Sequence, residues 1–437
     1  MRILFLNPNW RKMKDIFPGP GKISIQSLDF IYPATLLKET HDVEIYDANI
    51  LDSSYEQILE FLERYSPDVT ILTTAPNYLF WRCCPLGIST PKELSLIIKK
   101  ESDTKLILIG PHPTVSPEWV INECQADFLI RGEPEISLYE FIKSNLEDTN
   151  IKGVYGNGVT TNGIAVVDNL EDLPVCDYSL IKQYEYHAYL AKNYKTGAII
   201  EFSRGCKFNC IFCFNQLFRN KYRARPVYKV IEEIKLLKEK YGYQYFYFID
   251  ELFNHDTPQF RLLLKELRDL NIQFGCQCRP DIMNEDLLKE MKNAGCLIIE
   301  YGIESFAKEI LYGLHKNINV KKSKFIIEKT SEIGITTRGF ILYGLPDENI
   351  KSLETTRKMV WALNSKIFIG SNIVIPYPTT QLFKQVYGRK TEIGKSEWNY
   401  CSKNIGKLSH THKFVIMLYR YIIHVQNRAK LLYKKYK

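Results

Sequence analysis

No window of the sequence approaches the ~18 consecutive apolar residues that a membrane-spanning helix requires. Nor does it open on a leader: Met1-Arg2 runs straight into the strand-like Ile3–Leu6, and no signal peptide is expected. Eleven cysteines without a secretory signal point to a reducing compartment, the cytoplasm, and to thiols that are reduced or metal-bound. Acidic residues are scarce at the end of the chain. Residues 381–437 hold 13 Lys and Arg against 2 Asp and Glu, so the formal net charge of +8 leaves 45 against 48, a net of −3, for the rest. The basic character therefore belongs to a tail. A near-neutral remainder opposes a broad nucleic-acid groove, and there is no separate RNA-binding module, so no specific nucleic-acid partner is expected. At 437 residues and 45% apolar content the chain has room for two or three globular domains.

What is present concentrates in one stretch, Ser203-Arg204-Gly205-Cys206-Lys207-Phe208-Asn209-Cys210-Ile211-Phe212-Cys213-Phe214. Three cysteines fall within eight residues, three residues apart in the first gap and two in the second. The apolar run from Ala198 to Phe202 reads as a buried strand, and Gly205 lets the backbone turn sharply after it. Thiolates on one tight loop converge on a metal site. Zinc usually takes a fourth protein ligand, and the next Cys or His residues are His255, Cys276 and Cys278, beyond conventional spacing. Three thiolates suit a cubane cluster with one iron left open to a small chelating molecule. Three ordinary reduced thiols, or a zinc knuckle, are the plainer readings of the same spacing.

Before this stretch, strand-like and helix-like segments alternate. Strands are expected at Ile3–Leu6, Val43–Tyr46, Val69–Leu72, Lys105–Ile109 and Phe128–Ile130. Helices are expected at Tyr32–Glu39, Tyr55–Arg64, Pro91–Lys100 and Ile136–Ile142. Short apolar strands between amphipathic helices imply an α/β fold with a flavodoxin-like, doubly wound parallel sheet, which binds ligands beyond the carboxyl ends of its strands. The segments at those ends hold Asn7, Thr74, Trp81, Gly110, His112, Gly132 and Glu133. His112, between two prolines, either touches a ligand or is a solvated turn residue. Phe80 and Trp81 either pack on a ligand or plug their loop, and Cys83 and Cys84 read as small apolar packing. Residues 146–195 read as a linker, with hairpin turns at Asn157-Gly158 and Asn162-Gly163.

After it comes a second βα series. Strands end at Asp250-Glu251, at Arg279-Pro280-Asp281, at Gly302-Ile303-Glu304-Ser305 and at Tyr343-Gly344-Leu345-Pro346, with a sixth strand at Ile367–Ile375. Six βα units from residue 198 to about 376 imply an open, partial (β/α)6 TIM-type barrel, with its active site at the carboxyl ends of the strands. Cys276 and Cys278 fall on one face of a strand and read as core. Arg223 and Arg225 meet either an acidic substrate or the protein's own acids.

The C-x3-C-x2-C pattern with Phe212 before its last cysteine resembles the radical S-adenosylmethionine (SAM) superfamily, and the preceding domain resembles the cobalamin-binding domain of its B12-dependent class. The resemblance spans about residues 1–380 and divides the chain into a cobalamin-binding-like domain at 1–145, a linker at 146–195, a barrel at 196–380 and a helical extension at 381–437. It implies that Cys206, Cys210 and Cys213 hold a [4Fe-4S] cluster whose open iron chelates SAM, and that Phe212 lies against the adenine. Glu304 and Ser305 match the family's Gly-x-Glu-Ser stretch, Gly339 and Gly344 its glycine-bearing fifth-strand motif beside adenine. Arg279 would hold a carboxylate as a bidentate partner, and Asp250 and Glu251 match an acidic pair. Asn7, Thr74, Trp81, Gly110, His112, Gly132 and Glu133 would line the cobalamin. One departure is clear: the loop after the first strand reads Asn7-Pro8-Asn9-Trp10, so no His from it ligates cobalt from below.

The implied activity is reductive cleavage of SAM to a 5′-deoxyadenosyl radical, with an external flavodoxin- or ferredoxin-type electron donor. Its use would be cobalamin-dependent methylation of an unactivated carbon in a small molecule, or another radical outcome such as cyclisation, oxidation or rearrangement. An RNA-modifying or cluster-carrying interaction protein is the reading of another class. Lys413–Lys437 reads as a basic helix with apolar Phe414, Val415, Met417, Leu418, Tyr421, Ile422 and Val425; it caps the barrel mouth, docks a partner or lies on an anionic membrane surface.

Overall fold

The computed structural model describes residues 1–12, 25–76, 84–156, 158, 163–191, 193–363, 367–388 and 421. The segment with Phe80, Trp81 and Cys83, the turn residues Asn157 and Asn162, and the basic tail apart from Tyr421 lie outside them. Two six-stranded sheets form the molecule.

The first contains β1 (Arg2–Asn7), β2 (Asp42–Asp47), β3 (Val69–Thr73), β4 (Lys105–Ile109), β5 (Phe128–Ile130) and β6 (Val154–Tyr155), in the order β2-β1-β3-β4-β5-β6. β1 to β5 are parallel and β6 closes the edge antiparallel to β5. This is the doubly wound order, with its switch between β1 and β3. Every residue of β3 is buried, because helices cover both faces of a parallel sheet. β6 carries the sheet into residues expected to be linker. Two short helices, Pro111–Val115 and Pro117–Cys124, replace the loop expected after β4.

The second sheet runs β14-β13-β12-β11-β10-β7, all parallel. Its strands are β7 (Ala198–Ile200), β10 (Tyr245–Phe248), β11 (Gln273–Cys278), β12 (Cys296–Glu304), β13 (Thr336–Tyr343) and β14 (Phe368–Ile373). Between β7 and β10 a small antiparallel pair, β8 (Ser203–Arg204) and β9 (Arg223–Ala224), brackets the cysteine loop. The open six-stranded βα barrel is as expected. Cys276 and Cys278 lie in its core with their sulfurs 3.8 Å apart. No helix among the described residues is long and apolar enough to cross a membrane.

The helix Leu28–Leu37 explains how the two sheets sit together. It begins four residues before the expected Tyr32 and is buried nearly all round. A helix apolar on every side must be covered on every side. One continuous apolar cluster runs from Ile3 and Phe5 through Phe30 and Ile31 to Ile200 and Phe248. At its polar edge the guanidinium groups of Arg204 and Arg225 lie 5.7 and 5.4 Å from the Tyr32 ring.

An ionic network completes the junction. Arg204 pairs with Glu135 at 2.6 Å and Glu201 at 2.8 Å, with Glu133 at 3.6 Å; Arg219 and Arg223 reach Glu133 at 2.9 and 2.8 Å. Glu133 and Glu135 belong to the first sheet's end and the arginines to the hairpin. Removing one partner of a buried pair strands the other charge, at a cost of about 3–5 kcal/mol. Arg204→Met should therefore lower stability by that order in a urea unfolding series, and adding Glu135→Gln to it should restore part of the loss. Additive losses would mean that the two side chains are not coupled.

Candidate active site

The loop from Gly205 to Cys213 is held by backbone bonds from several elements. Gly205 has φ +86°, and a Cβ there would lie 2.0 Å from the Lys221 carbonyl oxygen, so the turn admits glycine alone. Gly205 N–H donates to Glu251 Oε2 at 2.8 Å and Cys206 N–H to Arg219 O at 3.0 Å. Ile211 N–H donates to Leu314 O at 3.1 Å, and Ile211 O accepts from Leu382 N–H at 2.9 Å. Cys210 is buried, and Cys206 and Cys213 are half-buried. Burial pushes the Cys206 thiol up from its ordinary range, and Arg279 opposes that shift.

Among the described residues no three of His, Cys, Asp and Glu converge as ligands of a single metal ion. The thiolates of a cluster attach to different irons and stand further apart than the ligands of one ion. A cavity of about 320 Å³ adjoins the loop, lined by Cys210, Cys213, Gln216, Thr380, Gln381 and Lys384.

The other expected residues fall into three groups. Asp250, Glu251, Arg279, Glu304 and Phe212 gather around the loop. Asp250 accepts from Phe202 N–H at 3.1 Å and Ser203 Oγ at 2.5 Å, while Glu251 accepts from Gly205 N–H and Arg219. Both acids thus hold the loop's entry. Arg279 pairs with Asp281 and also reaches Cys210. Glu304 follows a register shift between β12 and β13, has φ +64°, and pairs with Lys316 Nζ at 2.7 Å. Lys316 lies 5.8 Å from the Phe212 ring, and Phe212 packs on the apolar cluster containing Ile211 and Leu345. Ser305 bonds Thr356 at 3.1 Å, and Gly344 N–H donates to Glu348 at 2.7 Å.

Gly339 lies on the apolar side of β13: a Cβ there would meet Ile303 Cδ1 and Ile367 Cδ1, each at 2.7 Å. Period-two alternation puts Arg338 and Phe340 on the other face.

At the first sheet's carboxyl ends, Thr74, Gly110, His112 and Gly132 form one group. Gly110 lies against Thr74 Oγ1, and Gly132 N–H donates to Thr114 Oγ1 at 2.9 Å. His112 is not a solvated turn residue: it is fully buried, with Nε2 3.0 Å from Pro85 O, and burial lowers its pKa to about 4. Asn7 is turned inward, donating to Asp47 and accepting from Trp10 Nε1. Glu133 is committed to its three arginines, which hold it at about 2 against the effect of burial. Arg225 pairs with Glu233 at 2.7 Å, so Arg223 and Arg225 both meet the protein's own acids.

These ends and the cysteine loop meet directly. Ala75, Cys84, Phe214 and Tyr377 share one apolar cluster, and Tyr377 Oη donates to Cys84 O at 3.1 Å. Sequence reasoning gave no role to Arg204, Arg219, Glu135 or Lys316. The placement of Arg204 two residues before Cys206 was the one available signal; nothing in one dimension says which carboxylate it meets.

Residues 200–360 match the Radical SAM superfamily. That segment carries a radical SAM domain. It is 27% identical to an uncharacterized methyltransferase of Pyrococcus horikoshii, over 87% of this chain and 82% of that protein. It is also 27% identical to the anaerobic magnesium-protoporphyrin IX monomethyl ester cyclase of Rubrivivax gelatinosus, over 90% of this chain and 71% of the cyclase. Its fold is shared with the radical SAM methyltransferase TsrM of Kitasatospora setae, whose structure holds cobalamin and a [4Fe-4S] cluster; the TM-score is 0.68 at 19% identity, covering 90% of this chain and 76% of that one.

Asp250 supplies a pH test. Burial raises its pKa from 3.8 to about 7 despite its two hydrogen bonds. A carboxyl whose folded pKa is raised contributes stability below its ordinary value and loses it as pH rises through the folded value. The protein should therefore melt lower at pH 8 than at pH 5, and Asp250→Asn should shrink that difference. An unchanged difference in the variant would remove Asp250 from the account.

Proposed function

We propose that this protein is a cobalamin-dependent radical SAM methyltransferase acting on an unactivated carbon of a small molecule, a saccharide, a lipid or a natural-product intermediate. One observation carries the reading: three thiols on a loop fixed by its neighbours, beside a cavity and against the carboxyl ends of the first sheet. Cys206, Cys210 and Cys213 would hold a [4Fe-4S] cluster. Phe212, Glu304, Ser305 and Gly344 would bind SAM, with Lys316 orienting the Glu304 carboxylate. When bound, the cluster supplies the electron that cleaves SAM and cobalamin supplies the methyl group.

The cobalamin reading also has a local basis. Thr74 Oγ1 is buried without a hydrogen-bond partner, beside the bare backbone of Gly110. A buried hydroxyl in that state costs free energy until a ligand satisfies it. His112 is bonded to backbone through Nε2, and no His lies in the loop after β1, so a bound corrin would have no lower histidine from these positions. The proposal includes the domain limits 1–145, 146–195, 196–380 and 381–437, a cytoplasmic location and an external flavodoxin- or ferredoxin-type reductant.

The test is anaerobic reconstitution with iron and sulfide, then SAM and reductant. The wild-type protein should release 5′-deoxyadenosine and Cys210→Ala should not; release by both, or by neither, defeats the assignment. With hydroxocobalamin, bound-corrin absorbance should appear and should weaken several-fold in Thr74→Val. A product heavier by one methylene supports methylation. Turnover without it supports a second reading, ring closure, which the relationship to the cyclase favours.

A further inference from the structure

Arg279 was expected to clamp a carboxylate of SAM, but its donors are otherwise engaged. Nε and Nη2 donate to the two oxygens of Asp281, each at 3.1 Å, and Nη2 also donates to Lys316 O at 2.7 Å. Nη1 points to Cys210 Sγ at 3.9 Å. The guanidinium carbon lies over Phe208, 3.6 Å from the ring centroid. Its backbone is fixed as well: Asn254 accepts from Arg279 N–H at 3.0 Å and donates to Arg279 O at 2.8 Å. Arg279 is 7% exposed and Cys210 8%. The cation is thus held on several sides, and Nη1 is turned toward a sulfur.

We propose that Arg279 sets the reduction potential of the cluster through Cys210, with Asp281 tuning its charge; this rests on the assignment of Cys206, Cys210 and Cys213 as cluster ligands. The physical reason is electrostatic. Reduction adds one negative charge to the cluster. A buried cation with an N–H directed at a ligand sulfur stabilises that added charge, and the dry surroundings strengthen the effect. Phe208 holds the guanidinium close, an aromatic face being a favoured partner of Arg. Asp281 withdraws part of the positive field, so the two side chains act with opposite sign on the same sulfur.

The opposite signs make the test sharp. The wild-type protein, Arg279→Gln, Arg279→Lys and Asp281→Asn are reconstituted, their iron and sulfide contents checked, and each is titrated potentiometrically without SAM while the reduced-cluster EPR signal is followed. Arg279→Gln should shift the one-electron equilibrium toward the oxidised form about tenfold, ~59 mV lower. Asp281→Asn should move the potential the other way, and Arg279→Lys should recover part of the Arg279→Gln shift. Potentials that stay put, or that move in the same direction in Arg279→Gln and Asp281→Asn, overturn the proposal. So does an unchanged potential with a large loss of SAM affinity, which would make Arg279 a carboxylate clamp. If Arg279→Gln does not assemble a cluster, the signs for Arg279→Lys and Asp281→Asn decide. If the wild-type protein takes up no cluster, the ligand assignment fails instead.

Discussion

Everything around the cysteine loop depends on one buried charge arrangement. Glu133 sits among Arg204, Arg219 and Arg223, and Arg204 also binds Glu135 and Glu201. Arg204 and Arg223 face each other across the β8–β9 pair, where like charges directly opposite would repel. The carboxylates of the first sheet are what permit that pairing. Arg219 extends the chain of charges to Glu251, whose other oxygen accepts from Gly205. The first sheet thus fixes the shape of a loop in the second half of the molecule. Ion pairs this dry contribute less to net stability than to specifying one arrangement, because desolvation offsets most of their attraction.

Much of this was legible in the sequence. The apolar runs of β1 to β5 and of the six barrel strands are short, evenly spaced and separated by amphipathic segments, and period alone identifies them. The three cysteines and the polar residues after each barrel strand fell where strand ends meet. What misled or escaped has a physical reason in each case. Gly339 and Gly344 look equivalent in a line of letters, yet strand alternation turns one toward isoleucines and leaves the other at a turn. The helix at Leu28 looked shorter because its first turn is as apolar as the rest, and amphipathic spacing cannot mark a helix covered on all sides. His112 between its prolines left two readings open, a ligand contact or a solvated turn; a short helix folds it inward and removes the second. Arg279 looked like a free bidentate donor; its partner Asp281 stands two residues away and was read only as part of the same strand end.

The surroundings of the loop are more polar than a core and drier than a surface. Asp250, Glu251, Arg279, Glu304 and Lys316 are each engaged in a hydrogen bond or ion pair. Such a setting gives its groups fixed dipoles in place of mobile water, so little reorganisation is required when charge appears there. Thr74, with no partner, is the contrast. Satisfied groups hold geometry, whereas a buried hydroxyl without a partner carries a cost until something meets it.

The junction between the halves also bears on how the molecule is made. Glu135 and Arg204 are 69 positions apart, and the acids are synthesised first. Domains tend to fold as they emerge, N-terminal first. The first sheet can close its apolar layers early, but its rim with Glu133 and Glu135 must stay hydrated until the strand-and-hairpin segment follows. The cysteine loop takes its final form against that rim and against Leu314 and Leu382, so its thiols come into position only when residues on both sides of the loop are in place.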